Sequence, residues 1–250
     1  MITKVFSSLF KRKTEEDQNI PTLTVDMHSH LLPGIDDGVT TYDQAVGILK
    51  DFVQMGYKKM VITPHIMGDF YRNTPEIIHD RLDKLRDIVA EMQLPITLEA
   101  AAEYYLDESF IERLNKKESL LCFGEKKYVL FETSYMNPSP YTTQVIFMLQ
   151  SQGYRPILAH PERYVYLFEN FDTLYTLKEK GCLFQINMSS LIGYYSKPSK
   201  MIAERLINEK MVDFIGTDCH NEKHLAAVKD TTANNYFKKA LQLNLLNNTL

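Results

Sequence analysis

Cysteine is scarce in this chain: Cys122, Cys182 and Cys219 are odd in number and far apart in 250 residues. That argues against a disulfide framework and fits a reducing cytoplasm. It also removes one chemistry. A cysteine phosphatase needs its thiolate in a phosphate-binding loop closed by an arginine six positions on, and those positions hold Tyr128, Met188 and Leu225. No stretch approaches the roughly 18 consecutive apolar residues of a membrane-spanning helix. With a formal net charge of -4 there is no basic stripe of the kind that grips duplex nucleic acid. Sequence repeats, low-complexity tracts and an internal linker are absent too, so one domain is the default.

What is present is an ordinary apolar fraction of 44% with 24% charged residues, enough for one substantial core. Ahead of it, Ile2, Val5, Phe6, Leu9 and Phe10 fall at helix-like spacing and are followed by Lys11, Arg12 and Lys13. Residues 1–13 therefore have the pattern of a segment that lies on an anionic membrane surface, peripheral to its inner face. The plainer alternative is a flexible tail. Lys4 and the Ser7-Ser8 pair interrupt the apolar run, and no small-residue cleavage site follows, which argues against a secretory signal. The division expected is a terminal segment over 1–21 and a catalytic domain over 22–250.

From residue 22 onward, short β-branched or apolar runs alternate with segments of helical period. Strands are predicted at 22–30, 58–65, 96–105, 127–133, 155–160, 182–189 and 212–220. Helices are predicted over 41–57, from the Thr74-Pro75 start, and over 108–116, 141–152, 171–180, 200–210 and 222–245. Thr41 with Gln44 three residues later is a capping box. About seven βα units suggest a barrel one unit short of the usual eight, with an open doubly wound sheet as the alternative.

Polar residues cluster at the carboxyl ends of these strands, the catalytic rim of a barrel. His28 and His30 are two apart, so both imidazoles project from one face of an extended strand and can share a metal. Asp218 and His220 repeat the arrangement. His65, Glu103, Glu132 and His160 sit at the strand ends between them, with Asp36 and Asp37 in the loop after the first strand. A single histidine there would read as structural. So many groups converging without a cation would repel one another and resist desolvation. Imidazole and carboxylate without thiolate favour zinc, manganese or iron. Cys219, between Asp218 and His220, points to the other side of the sheet and reads as core. Metals so bound can supply a bridging hydroxide as nucleophile. Arg163 then either forks onto a phosphate or pairs with Glu162 at the surface.

The strings HSHLLPGIDDG, TPH, AEYY, AHPERY and GTDCH, in order from residue 26 to 220, resemble the polymerase and histidinol phosphatase (PHP) superfamily. More narrowly, they resemble its bacterial protein-tyrosine phosphatases of capsular and exopolysaccharide synthesis. The resemblance implies a distorted (β/α)7 TIM-like barrel with two or three divalent metal ions, Mn²⁺, Zn²⁺ or Fe. His28, His30, Glu103 and Asp218 would hold one ion, and Glu103 would bridge to a second held by Glu132 and His160. Asp37, His65 and His220 would hold the third, with Arg163 binding phosphate. It further implies phosphotyrosine hydrolysis, with a bacterial tyrosine kinase as partner. A histidinol-phosphate-like metabolite phosphatase would be expected to carry a histidine where this chain has Glu132. A catalytically silent metal scaffold and a metal-dependent amidohydrolase are the remaining readings.

Overall fold

The computed structural model describes residues 22–250. Residues 1–13, with their membrane-surface pattern, lie outside the described residues. Seven βα units follow one another as expected, and the sequence periods explain why. Helix α1 (Tyr42–Gln54) buries Ala45, Ile48, Leu49 and Phe52 along one stripe. Thr41 caps it by accepting from the Gln44 amide, while the Gln44 side chain turns back to the amide and hydroxyl of Thr40. The reciprocal half of the capping box is thus displaced by one residue.

The strands are β1 (Val25–Asp26), β2 (Lys59–Ile62), β3 (His65–Ile66), β4 (Thr97–Ala100), β5 (Glu103–Tyr105), β6 (Tyr128–Glu132), β7 (Arg155–Ala159), β8 (Leu183–Asn187) and β9 (Phe214–Gly216). Two expected strands are each broken once. Thr63-Pro64 separates β2 from β3, since proline offers no N–H to a ladder, and Ala101-Ala102 separates β4 from β5 at the same level. Pairing stays parallel throughout, with β1-β2-β4 in one sheet and β3-β5-β6-β7-β8-β9 in the other. The Ala101 amide to the Ile62 carbonyl and the Glu103 amide to the Pro64 carbonyl carry the ladder across the break.

The ring closes between the first and last strands. At the rim, Ser29 bridges Cys219, with Asp218 N donating to His28 O at 2.8 Å and His30 N to Cys219 O at 2.9 Å. Lower down, side chains replace the backbone ladder: Asp26 accepts from the amide and hydroxyl of Thr217. Buried Asn247 accepts from Ile215 N and donates to the Ile215 and Val25 carbonyls. A wedge of side chains therefore takes up the distortion of a seven-unit barrel.

The other helices are α2 (Pro75–Glu91), α3 (Glu108–Asn115), α4 (Thr142–Ser151), α5 (Asp172–Glu179), α6 (Lys197–Asn208), α7 (Glu222–Thr231) and α8 (Asn235–Ala240). The last expected helix is thus two, because Asn234 ends one and caps the next by accepting from Tyr236 and Phe237 N. Apolar side chains form two cores. The larger packs helices against strands, and a smaller one with Met27, Val61, Leu130, Ile157 and Phe214 fills the barrel. Apart from the Asp26–Asn247 wedge, that inner core leaves the carboxyl-terminal rim for polar groups.

Candidate active site

All nine expected ligands and Arg163 meet at that rim. His28 Nε2 lies 3.2 Å from Glu103 Oε2 and 3.5 Å from Asp218 Oδ1, and His30 Nε2 lies 3.4 and 3.5 Å from the same atoms. His160 Nε2 is 3.0 Å from Glu103 Oε1 and 3.8 Å from Glu132 Oε2. His65 Nδ1 is 3.2 Å from both Glu103 and Glu132, and its Nε2 is 3.4 Å from Asp37 Oδ1, which His220 Nε2 approaches equally. His65 therefore stands between an inner carboxylate group and an outer group of Asp37 and His220. The family resemblance places it in the outer group alone.

Local backbone geometry aims these side chains. His160 and Asp218 adopt the left-handed region, at φ 31° and 49°, the first one residue beyond β7 and the second two residues beyond β9. Such conformations cost about 1–3 kcal/mol and persist where neighbours over-determine them. At Asp218 the amide bonds His28 O, and the carbonyl accepts from Nδ1 of both His220 and His224. Two glycines allow close approach. A Cβ on Gly216 would sit 2.7 Å from both the His28 Cβ and Gln185 Nε2. One on Gly38 would meet the His30 carbonyl at 2.1 Å, so only glycine lets the Asp36-Asp37 loop fold back over His30.

Supporting partners fix the ring orientations. His28 Nδ1–H donates to Gln185 Oε1 at 2.8 Å and His30 Nδ1–H to Asp36 Oδ2 at 2.7 Å, which turns both Nε2 lone pairs inward. Gln185 Nε2 donates to Asn187 Oδ1, and Asn187 Nδ2 donates to Asp218 Oδ2 at 2.6 Å. The two amides of β8 thus link His28 to Asp218. They were missed in the sequence, although polar residues two apart in an otherwise apolar strand are a readable sign of a shared face.

Electrostatically the histidines and carboxylates favour one another's charged forms. Burial disfavours charge on His28, yet Glu103 and Asp218 outweigh it and raise the ring to about 9. Burial likewise opposes charge on His30 and His65, and carboxylates raise both. Burial would raise Asp218, but His28, His220 and Arg163 hold it well below the usual carboxylate range, and histidines do the same for Glu103. Glu103 Oε2, Glu132 Oε2 and His65 Nδ1 are buried without hydrogen-bond geometry among the described residues, despite their proximity. Buried acceptors aimed at one another are what a shared divalent ion satisfies, so the residues fit the expected metals. Four subsets of the cluster come close enough to hold an ion: His30, Asp37, His65 and His220; His28, His30 and Glu103; His28, His160 and Asp218; and His65, Glu103 and Glu132.

Arg163 does not pair with Glu162, which is buried and accepts from Asn187 N and Ser190 Oγ. Its Nη1 donates to Asp218 Oδ2 at 2.9 Å, and its guanidinium lies over Tyr195 (4.0 Å) and Tyr135 (4.7 Å). These groups line a cavity of about 450 Å³ together with Tyr194, Asn221 and His224. Tyr104 and Tyr164, on the strand and turn beside the cluster, are core residues. Cys219 is fully buried and burial pushes its thiol far up, as the core assignment requires.

Comparison with known proteins agrees with this geometry. Residues 24–246 match the family described as capsular polysaccharide synthesis, CpsB/CapC. The chain is 31% identical over 199 residues to the tyrosine-protein phosphatase YwqE of Bacillus subtilis (strain 168), covering 80% of this chain and 78% of the relative. It is 32% identical over 197 residues to the putative tyrosine-protein phosphatase CapC of Staphylococcus aureus, covering 79% and 77%. A chain from the crystal structures of YwqE from Bacillus subtilis and CpsB from Streptococcus pneumoniae, described as unique metal-dependent tyrosine phosphatases, superposes with a TM-score of 0.75. It is 30% identical, and the match covers 83% of this chain and 85% of that one. With nearly its whole length matched and the rim cluster in place, this chain belongs to the CpsB/CapC family of capsular polysaccharide synthesis.

Proposed function

We propose that this chain is a metal-dependent protein-tyrosine phosphatase, acting on the phosphotyrosines of a bacterial tyrosine kinase of polysaccharide synthesis or export. The observation that carries the reading is Arg163 at the edge of a histidine–carboxylate cluster, inside an open cavity. His28, His30, Glu103 and Asp218 would hold one divalent ion. Glu103, Glu132 and His160 would hold a second, with His65 Nδ1 close by, and Asp37, His65 and His220 would hold a third. When bound, such ions supply Lewis-acid stabilisation of phosphate charge and a water made acidic enough to ionise near neutral pH.

The chain's own residues do the rest. Arg163 offers a planar fork to two phosphate oxygens, and Tyr135 and Tyr195 hold that fork in place. Asp218 divides its oxygens, with Oδ1 facing the histidines and Oδ2 holding Arg163, so the phosphate-binding group is set relative to the cluster. A phenolate leaves far more readily than an alkoxide, which suits a cavity with no dedicated strong acid. No helix among the described residues is long and apolar enough to cross a membrane. A cytoplasmic enzyme, tethered to the inner membrane face through residues 1–13, fits a kinase partner involved in export. The catalytic domain in this reading is residues 22–250.

The test is turnover of a phosphotyrosine peptide beside a phosphoserine peptide and histidinol phosphate, in Mn²⁺, Zn²⁺ or Fe²⁺ buffer. The phosphotyrosine peptide should lead by at least about tenfold in kcat/KM, and thorough chelation should abolish turnover. A preference for histidinol phosphate would assign a metabolite instead. Activity that survives chelation would overturn the metal chemistry.

A further inference from the structure

Three tyrosines line the cavity, and they are not equivalent. Tyr135 is packed on the His160 ring at 5.6 Å and carries Arg163 on its face. Tyr195 also carries Arg163 on its ring and sends its hydroxyl toward Asp218 Oδ2. Both rings are committed to the guanidinium. Tyr194 carries no cation among the described residues, and at 43% relative exposure it is the most open aromatic surface of the cavity.

Its position is nevertheless fixed. Gly193 in the left-handed conformation (φ 80°) turns the chain after the 3-10 helix Met188–Ile192, and Tyr194 N donates to Ser189 O. Tyr195 meets the Tyr194 ring edge-on at 5.2 Å and His224 meets it at 5.4 Å, with interplanar angles of 89° and 77°. His224 is itself anchored, since its Nδ1–H donates to Asp218 O and its amide to Asn221 Oδ1. An exposed aromatic ring braced on two sides, one residue from the arginine's own clamp, is a preorganised apolar wall that loses little entropy on contact.

The geometry points to Tyr194 as the residue that selects aryl phosphates, by packing against the phenyl ring of the phosphotyrosine while Arg163 and the cluster take its phosphate. This rests on the phosphatase reading above and adds to it which side chain reads the leaving group. Tyr195 links the two functions, because Arg163 lies over its ring and Tyr194 packs at right angles to it. An alkyl phosphate would reach Arg163 equally well and leave the wall uncovered.

Tyr194→Ala and Tyr194→Phe in the metal-loaded, full-length protein test it, with kcat and KM measured on a phosphotyrosine peptide and on the phosphoserine peptide of the same sequence. Tyr194→Ala should lose about five- to tenfold in kcat/KM on phosphotyrosine, mostly in KM, because a ring contact is made before and during the reaction. It should change phosphoserine turnover less than twofold, and Tyr194→Phe should restore the parent value. Metal content should match the parent in both variants. Equal losses on the two peptides, or none on phosphotyrosine, would overturn the assignment of Tyr194 while leaving the phosphatase reading intact. A parent protein that hydrolyses neither peptide would overturn both.

Discussion

His28, His30 and Glu103 lie within the barrel mouth at 1% exposure or less, whereas the Asp37 side chain is 53% exposed and reaches out to His65 and His220 at the lip. The two halves of the cluster use the same residue types and differ in what stands behind them. Three inner groups have a second side chain fixing them: Gln185 behind His28, Asp36 behind His30, and Asn187 with Arg163 behind Asp218. In the outer half, His220 is steadied by a backbone carbonyl and by stacking on the His30 ring, and Asp37 meets, among the described residues, the two histidines through its exposed carboxylate. Preorganised, dry ligands lose little on binding an ion, while exposed ones compete with water. The inner half should therefore hold metal tightly, and the outer half should exchange it.

The largest effect should come from Asp218→Ala, which removes the one group shared by the inner histidines, Arg163 and the β8 amides. We expect metal content to drop and kcat/KM on a phosphotyrosine peptide to fall by about a thousandfold or more, since a buried network is left uncompensated. Asp37→Ala should release only the most weakly held equivalent and retain the inner metal through gel filtration. Metal analysis of the two variants side by side decides the matter. If Asp37→Ala empties the whole cluster, the inner and outer halves are one site and the distinction fails.

A smaller effect should follow from Gln185→Ala. The His28 Nδ1–H loses its acceptor and the relay to Asn187 is broken, so the ring is free to turn. Loss of such a partner typically costs about 10–100-fold in metal affinity. Titration of metal-free protein with Mn²⁺ or Zn²⁺ against a chelating indicator would measure it. Unchanged affinity would mean that barrel packing alone orients His28.

Gln185 also shows where the sequence stops being legible. His28, His30, His65 and His220 announce themselves because histidine and acids at strand ends have few structural uses in such number. An amide in the strand Leu183–Asn187 has many, and nothing in the string LFQIN says that its neighbour across the barrel is a ligand. Asp36 and Asp37 are adjacent and chemically identical, yet one supports His30 from below and the other faces His65 and His220. Only the turn at Gly38 sorts them. The seven units could be read from period alone. The break at Asn234 could not, because apolar periodicity runs through it and the capping side chain declares itself only in three dimensions. The residues alone leave Arg163 open between a phosphate contact and a pair with Glu162, and its actual partner, Asp218, is 55 residues away and displaces the adjacent Glu162.

The smallest effect should appear in the pH dependence of stability, and it separates the metal-free from the metal-loaded protein. In the metal-free protein, His28 is raised to about 9 from 6.5 by Glu103 and Asp218 against the opposition of burial. A raised histidine contributes stability that is fully present below its unfolded value near 6.5, and that contribution is lost as pH climbs through 9. Asp26 has the same sign at lower pH, because burial raises it to about 7 and ionising it costs folding energy between 3.8 and 7. Asp218 and Glu103 act oppositely: held low, they stabilise above the ordinary carboxylate range and fail only in acid. Asp26 also feels the charge on His28, but it titrates near 7, at the lower edge of the range over which His28 loses its proton. In the loaded protein the inner histidines carry ions in place of protons, so their loss with rising pH disappears. The gain in Tm on loading should therefore grow by a few degrees, about 3–8 °C, between pH 6.5 and 9. Proton release on metal uptake, measured by calorimetry in buffers of different ionisation heat, should shrink over the same window. A Tm gain independent of pH would mean that the inner histidines are already neutral in the metal-free protein, and that the carboxylates do not govern them.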